Sequence, residues 1–235
     1  MYLLAFPRRI RSVHHIYALF WAAFTICSTS AQAQSESGKV DFSFDFGYLD
    51  YQWLYDDDDT RDTTIQRLHA RWLQPLTPWL RGGLQLAYLD LTQADNPLPS
   101  GQSAVGWGLG ITLDGMMLDT RLLLLSGRLS FDYQTTLGES SDQSSDISWG
   151  QITGGLDLAI RPTTALDVLA GAEYTVINGT QNNSGSTDTV STFHNDQPIG
   201  YYGGLRLNLG ADGAISLKGY WGGRTGYSMA FSRQF

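Results

Sequence analysis

The sequence predicts an all-β protein, a closed antiparallel up-and-down transmembrane β-barrel of ten strands, with eight as the alternative count. Three observations carry that expectation. Nearly every segment after Lys39 alternates apolar and polar residues at period two, the signature of strands with one apolar face. Short turns and longer polar links take turns between those segments, as in a chain threaded back and forth through a bilayer. The polar face is rich in glycine and carries both signs of charge, which suits a narrow lumen better than a solvated surface.

Residues 1–33 read as a secretory signal that is removed, leaving 34–235 as a single barrel domain. Arg8, Arg9 and Arg11 stand without an acid, an apolar core (IYALFWAAFTIC) follows over 16–27, and Ala31-Gln32-Ala33 supplies a small-residue cleavage site. The only cysteine, Cys27, lies inside that segment, so a disulfide framework is excluded. Ile26 precedes it where a lipoprotein signal wants a small residue. The mature chain keeps 12 basic and 23 acidic residues, a net charge of −11, which makes nucleic acid an unsuitable partner. Past the signal no stretch approaches the roughly 20 apolar residues of a membrane helix, so a helical bundle is excluded as well.

The strands follow in order. Run 39–53 sets Val40, Phe42, Phe44, Phe46 and Tyr48 against Asp41, Ser43, Asp45 and Gly47. Runs 64–74 and 79–92 flank the turn Leu76-Thr77-Pro78. In 104–114, Val105, Trp107, Leu109, Ile111 and Leu113 alternate with Gly106, Gly108, Gly110 and Thr112; 119–136 continues through Leu129, Phe131 and Tyr133. Runs 148–161 and 165–178 flank Pro162-Thr163-Thr164, and 198–209, 213–221 and 225–235 complete ten. The links 54–63, 93–103, 137–147 and 179–197 are long and polar, the last two reading as mobile tips. Gly222-Gly223-Arg224 departs from the pattern by being tight. Trp53, Trp79, Trp107, Trp149 and Trp221 fall near strand ends, where interfacial aromatic girdles belong.

The lumen face then carries Asp41, Asp45, Arg67, Arg71, Arg81, Arg128, Asp132, Asp157, Glu173, Arg206 and Lys218. Opposite charges on facing strands can pair, Arg67 or Arg71 with Asp41 or Asp45. A paired, side-chain-filled lumen is expected not to conduct; a narrow selective channel is the alternative.

The signal, the alternating runs and the last strand together resemble a Gram-negative outer-membrane β-barrel of the small OmpA/OmpW-like kind. Tyr227, Met229, Phe231 and Phe235 alternate to a terminal aromatic, similar to the signal read by the barrel-assembly machinery; Arg233 interrupts the apolar face there. The resemblance implies the bacterial outer membrane as location, with outer-membrane lipid and lipopolysaccharide as surroundings and the assembly machinery as a partner during biogenesis. It implies no activity and no oligomeric state.

Chemistry is sparse. Only His69 and His194 survive signal removal; His69 is in phase with Arg67 and Arg71 and reads as a lumen hydrogen-bonding group. His194 with Asp196 at the rim is similar in kind to the His and Asp pairing of omptin proteases, an alternative that no further motif supports. Neither a catalytic constellation nor a cofactor site emerges, so a structural or surface-interaction role, not an enzyme, is expected. Asp56, Asp57, Asp58 and Asp59 with Asp62 could gather calcium or magnesium and bridge to lipopolysaccharide. Mutual repulsion should hold that loop extended; the plain alternative is a solvated acidic loop.

Overall fold

The structure, a computed structural model, describes residues 39–93, 103–139, 143–185 and 188–235. The expected signal segment and most of the link 93–103 lie outside the described residues. Gly38–Phe235 form one compact unit. Its described strands are β1 (Asp41–Tyr55), β2 (Thr60–Pro75), β3 (Leu80–Gln93), β4 (Ser103–Asp119), β5 (Leu123–Glu139), β6 (Ser144–Ile160), β7 (Leu166–Ser184), β8 (Thr189–Asn195), β9 (Ile199–Leu209), β10 (Gly213–Gly222) and β11 (Thr225–Gln234).

Ten of them close an antiparallel ring in the order β1 to β7, then β9, β10 and β11, with β11 returning to β1 from Asp41↔Gln234 to Asp50↔Thr225. Closure leaves the ring without an edge strand, the condition a sheet must meet in lipid.

The eleventh strand changes the far end. β9, β10 and β11 have 11, 10 and 10 residues, whereas β1 has 15 and β7 has 19. Above the point where the short strands stop, β8 fills the gap. It pairs with β7 from Asn178↔His194 to Asn183↔Thr189 and with β1 at Trp53↔Asn195, Leu54↔His194 and Tyr55↔Phe193. The barrel is therefore ten-stranded at the short-turn end and eight-stranded at the far end, β1 through β8 in sequence order. This explains the tight Gly222-Gly223-Arg224 link: β10 and β11 end beneath the strand that roofs them.

Three of the long links are corrected by the same fact. The segment 179–197 is mostly strand, 137–147 shrinks to the few residues between Glu139 and Ser144, and 54–63 to the four-residue loop Asp56–Asp59. Along Asn178–Ser184 both faces are polar, Asn182 and Thr180 outside and Gln181 and Asn183 inside, so the hydropathy contrast vanishes while the pairing persists.

The faces also exchange polarity partway up. On β1, Asp41, Ser43, Asp45 and Gly47 point inward and Phe42 to Tyr48 outward, but above Tyr48 the inward residues are Leu49, Tyr51, Trp53 and Tyr55 and the outward ones Asp50 and Gln52. On β2 the inward side changes from Arg67 to Ile65; on β3 from Gln85 to Leu89 and Leu91; on β6 from Gln151 to Trp149; on β7 from Thr175 to Ile177. The backbone alternation never breaks. What changes is the polarity outside: below the exchange an apolar belt that includes Leu86, Leu109, Phe131, Leu156, Leu205 and Phe231 is exposed, as on the lipid-facing side of an outer-membrane barrel. Above it the outside is mostly polar, with Val105, Leu137 and Val190 as exposed exceptions. Tyr48, Tyr88, Trp107, Tyr133, Tyr174, Tyr201, Trp221 and Tyr227 face outward near that level, Tyr48 and Tyr227 stacked at 5.7 Å, and form the aromatic girdle.

Candidate functional site

The eight-stranded far end encloses an apolar core of Leu49, Tyr51, Trp53, Tyr55, Ile65, Leu89, Leu91, Ile147, Trp149, Ile177 and Phe193. Trp53 and Trp149 are 0% and 1% exposed and meet edge-to-face at 5.3 Å; Phe193 stacks on Trp53 at 4.3 Å. Two of the five tryptophans expected in girdles are thus inside the barrel. They lie above the polarity exchange, where the inward face is the dry one, so being near a strand end no longer means facing lipid. Phe193 reaches the core across Gly179, its directly paired residue, where a Cβ would fall 2.3 Å from the ring; only glycine leaves that room.

A polar layer roofs this core. The Tyr55 hydroxyl donates to Gln181 Oε1 at 2.7 Å and accepts from Gln93 Nε2 at 2.8 Å; Gln93 also reaches Thr63. Gln181 Nε2 donates to Ser145 and Asn183, and the Arg61 guanidinium lies 3.8 Å over the Tyr55 ring. Burial pushes the Tyr55 phenol above its ordinary value, against the smaller opposing pull of the Gln93 bond and the Arg61 charge. At the step between ten and eight strands, Arg224 donates to Glu173 at 2.8 Å and to the Tyr51 hydroxyl at 3.3 Å. Asn195 mends β7 where its partner changes: its Nδ2 donates to Thr175 O and its Oδ1 accepts from Ile177 N, each at 2.8 Å.

Below the core lies a charged cup. Arg67 stands 3.8 Å from Asp45, Arg81 3.5 Å from Asp41, Arg71 3.5 Å from Asp114, and Arg128 bridges Asp114 and Asp157 at 3.2 and 3.6 Å. Arg206 donates to Asp167 at 2.7 Å, and Asp132 accepts from Gln85. Arg67 therefore meets the acid the sequence suggested, while Arg71 reaches past β3 to Asp114 on β4. Asp114 and Asp167 were not among the expected lumen charges; their signal was phase, since Asp114 continues the inward series Gly110, Thr112. Although these groups face into a closed ring, Asp45 and Arg67 keep 20% and 19% of their side-chain surface accessible and Arg128 keeps 32%. The charged groups of the lower lumen thus keep accessible surface, and the apolar core above ends it.

The acidic loop is compact instead of extended. Asp58 takes a left-handed φ of 63° in a tight turn, Arg61 lies 3.7 Å from Asp57 and 3.0 Å from Asp59, and Asp56 accepts from the Thr192 backbone N–H at 3.2 Å. Asp62 accepts from Gln52. Among the described residues no three His, Cys, Asp or Glu side chains converge as a metal site; Arg61, Thr192 and Gln52 are the groups that meet Asp56, Asp57, Asp59 and Asp62. His69 faces the cup opposite Asp45; His194 points outward from β8 between Leu54 and Asn178, and Asp196 is engaged through its backbone N–H with Gln52 O. Tyr227, Met229, Phe231 and Phe235 are all exposed on the outer face, with Arg233 5.2 Å over the Phe235 ring.

No protein-family model and no curated protein matches the chain. Solved structures do resemble it. The outer membrane protease OmpT from Escherichia coli is similar at a TM-score of 0.54 and 10% identity, over 85% of this chain and 98% of that one. The translocator domain of the autotransporter NalP from Neisseria meningitidis is similar at 0.50 and 9%, over 95% and 98%. At such identities the likeness carries the fold alone: this chain has the fold of an outer-membrane β-barrel.

Proposed function

We propose that the protein is a sealed, non-enzymatic barrel of the Gram-negative outer membrane, exported through its N-terminal signal, with a structural or surface-interaction role played by the eight-stranded part that stands above the lipid. The observation that supports this most is the apolar core closing that part. A conduit for polar solutes needs a wet path, and Trp53, Trp149 and Phe193 occupy the cross-section. Outside that part, Asp50, Asp62, Asp90 and Asp146 alternate with threonine, serine and glutamine, a solvated face. Lipid and lipopolysaccharide surround the belt and girdle, and the last strand serves the assembly machinery. His194, facing outward with only Leu54 and Asn178 directly across, lends no support to a rim hydrolase.

The mature chain has no cysteine, so a single introduced one reports cleanly. Val190→Cys, at a side chain 72% exposed on β8, should react with a membrane-impermeant maleimide on intact cells. Labelling that appears only after lysis would place this end inside the envelope and defeat the surface role.

A further inference from the structure

Among the described residues the cup contains one cation that no carboxylate meets. On the inward face of β9, β10 and β11 the chain places Arg206 and Lys218 and not a single acid. Arg206 borrows Asp167 from β7. Lys218 has no carboxylate within 4.0 Å among the described residues, although Arg67, Arg71, Arg81, Arg128 and Arg206 each have one. Its ammonium lies instead 4.2 Å over the Tyr202 ring. The charges acting on it from across the lumen are Arg71, Arg128, Asp45 and Asp157, two of each sign, and the two acids are already engaged by Arg67 and Arg128. Arg128 acts most strongly, ahead of Asp157, Arg71 and Asp45, so the surrounding charges give the buried ammonium no net compensation.

Small residues flank that lysine on both neighbouring strands. Lys218 pairs with Gly204 on one side and Ser228 on the other, and Ser228 pairs with Gly47 on β1. Gly204 is obligatory, since a Cβ there would meet Leu217 O at 2.2 Å, and it keeps the wall beside the lysine bare. The Ser228 hydroxyl lies 3.2 Å from the Tyr220 hydroxyl, adding polar O–H groups at the same place.

We propose that the lower lumen is a blind cup open at the short-turn end that binds a small oxyanion, phosphate or carboxylate in class, on Lys218, with the Ser228 and Tyr220 hydroxyls beside it. A charge-assisted hydrogen bond from a lysine in a confined, partly desolvated setting is worth more than the same contact at a surface. The apolar core above prevents passage, so the cup holds the anion without conducting it. The inference rests on that seal only for its blind end, and conductance is measured separately from binding.

Folded mature protein in detergent, titrated with inorganic phosphate and with acetate at matched ionic strength, should show saturable binding of at least one of them by calorimetry. Lys218→Met should weaken that binding at least tenfold, and Lys218→Arg should restore it, with heat-modifiable gel migration confirming that each variant is folded. The absence of saturable binding of both anions to the wild type overturns the proposal, as does equal affinity in folded Lys218→Met. Should Lys218→Met not fold, Lys218→Gln serves as the charge-free variant and is read in the same way.

Discussion

Tyr55 shows how a single side chain ties the outer barrel together, because its ring packs on Phe193 and carries Arg61 while its hydroxyl joins Gln93 and Gln181. Tyr55→Phe keeps the ring and removes two buried hydrogen bonds, while Gln93 keeps Thr63 and Gln181 keeps Arg61. The expected cost is about 1–3 kcal/mol in urea unfolding followed by gel migration. Its pH dependence has a definite sign. Burial raises the native phenol above the unfolded value near 10, so the unfolded chain ionises first. Stability from the neutral phenol is intact below about pH 10 and declines as pH rises past it. The gap between wild type and Tyr55→Phe should therefore narrow between pH 9 and pH 11 on the same gel assay; a gap that widens would contradict a buried neutral phenol. Trp149→Ala, deleting a fully buried indole, should cost about 3–5 kcal/mol. None of these roles was visible at the level of residue type, because Tyr55 and Trp149 carry the same chemistry as the girdle residues Tyr48 and Trp107. Only the parity of the position relative to the polarity exchange tells them apart.

At the scale of elements, ten strands were legible because alternation is a property of neighbours along the chain, although the break expected at 114–118 lies within β4, which runs on to Asp119, and the turn falls at 120–122. β8 was not legible. Thr189–Asn195 carries polar residues on both faces apart from Val190 and Phe193, and its partners, β7 and β1, lie on either side of it only after the ring has closed. Even so, a trace existed in the sequence: Tyr48-Leu49 and Tyr88-Leu89 are adjacent apolar pairs at which the apolar parity moves from even to odd positions. Asn195 should be the residue on which β8 depends most, since it satisfies β7 backbone groups at the change of partner. Asn195→Ala is expected to cost about 1–3 kcal/mol and to expose the 178–195 hairpin to limited proteolysis, whereas the ten-stranded ring stays resistant. In the acidic loop, Arg61 pairs with Asp57 and Asp59. Converting Asp56 through Asp59 to Asn should then lower stability modestly, by about 1 kcal/mol or less given how exposed the acids are, and equally with and without magnesium. A magnesium effect present in wild type and absent in the variant would restore the ion-binding view.

For the molecule as a whole, two solvents act on one continuous sheet. Where lipid lies outside, the inward face is charged and wet; where water lies outside, the inward face is apolar and dry, and the ring narrows from ten strands to eight to be filled by aromatic side chains. The lower half was largely readable in the sequence, including the charges that line it, because charge on the polar face of a membrane strand has nowhere else to go. The seal was not, since it results from the exchange of faces and from a strand inserted after the seventh. That seal is tested most directly by planar-bilayer recording of the refolded mature protein alongside a Trp53→Ser, Trp149→Ser double variant shown to be folded. Wild type should give no stable conductance steps, and the variant, with the two indoles that fill the cross-section removed, should give small or intermittent ones. Stable wild-type conductance of the size of a general porin would contradict the sealed barrel outright.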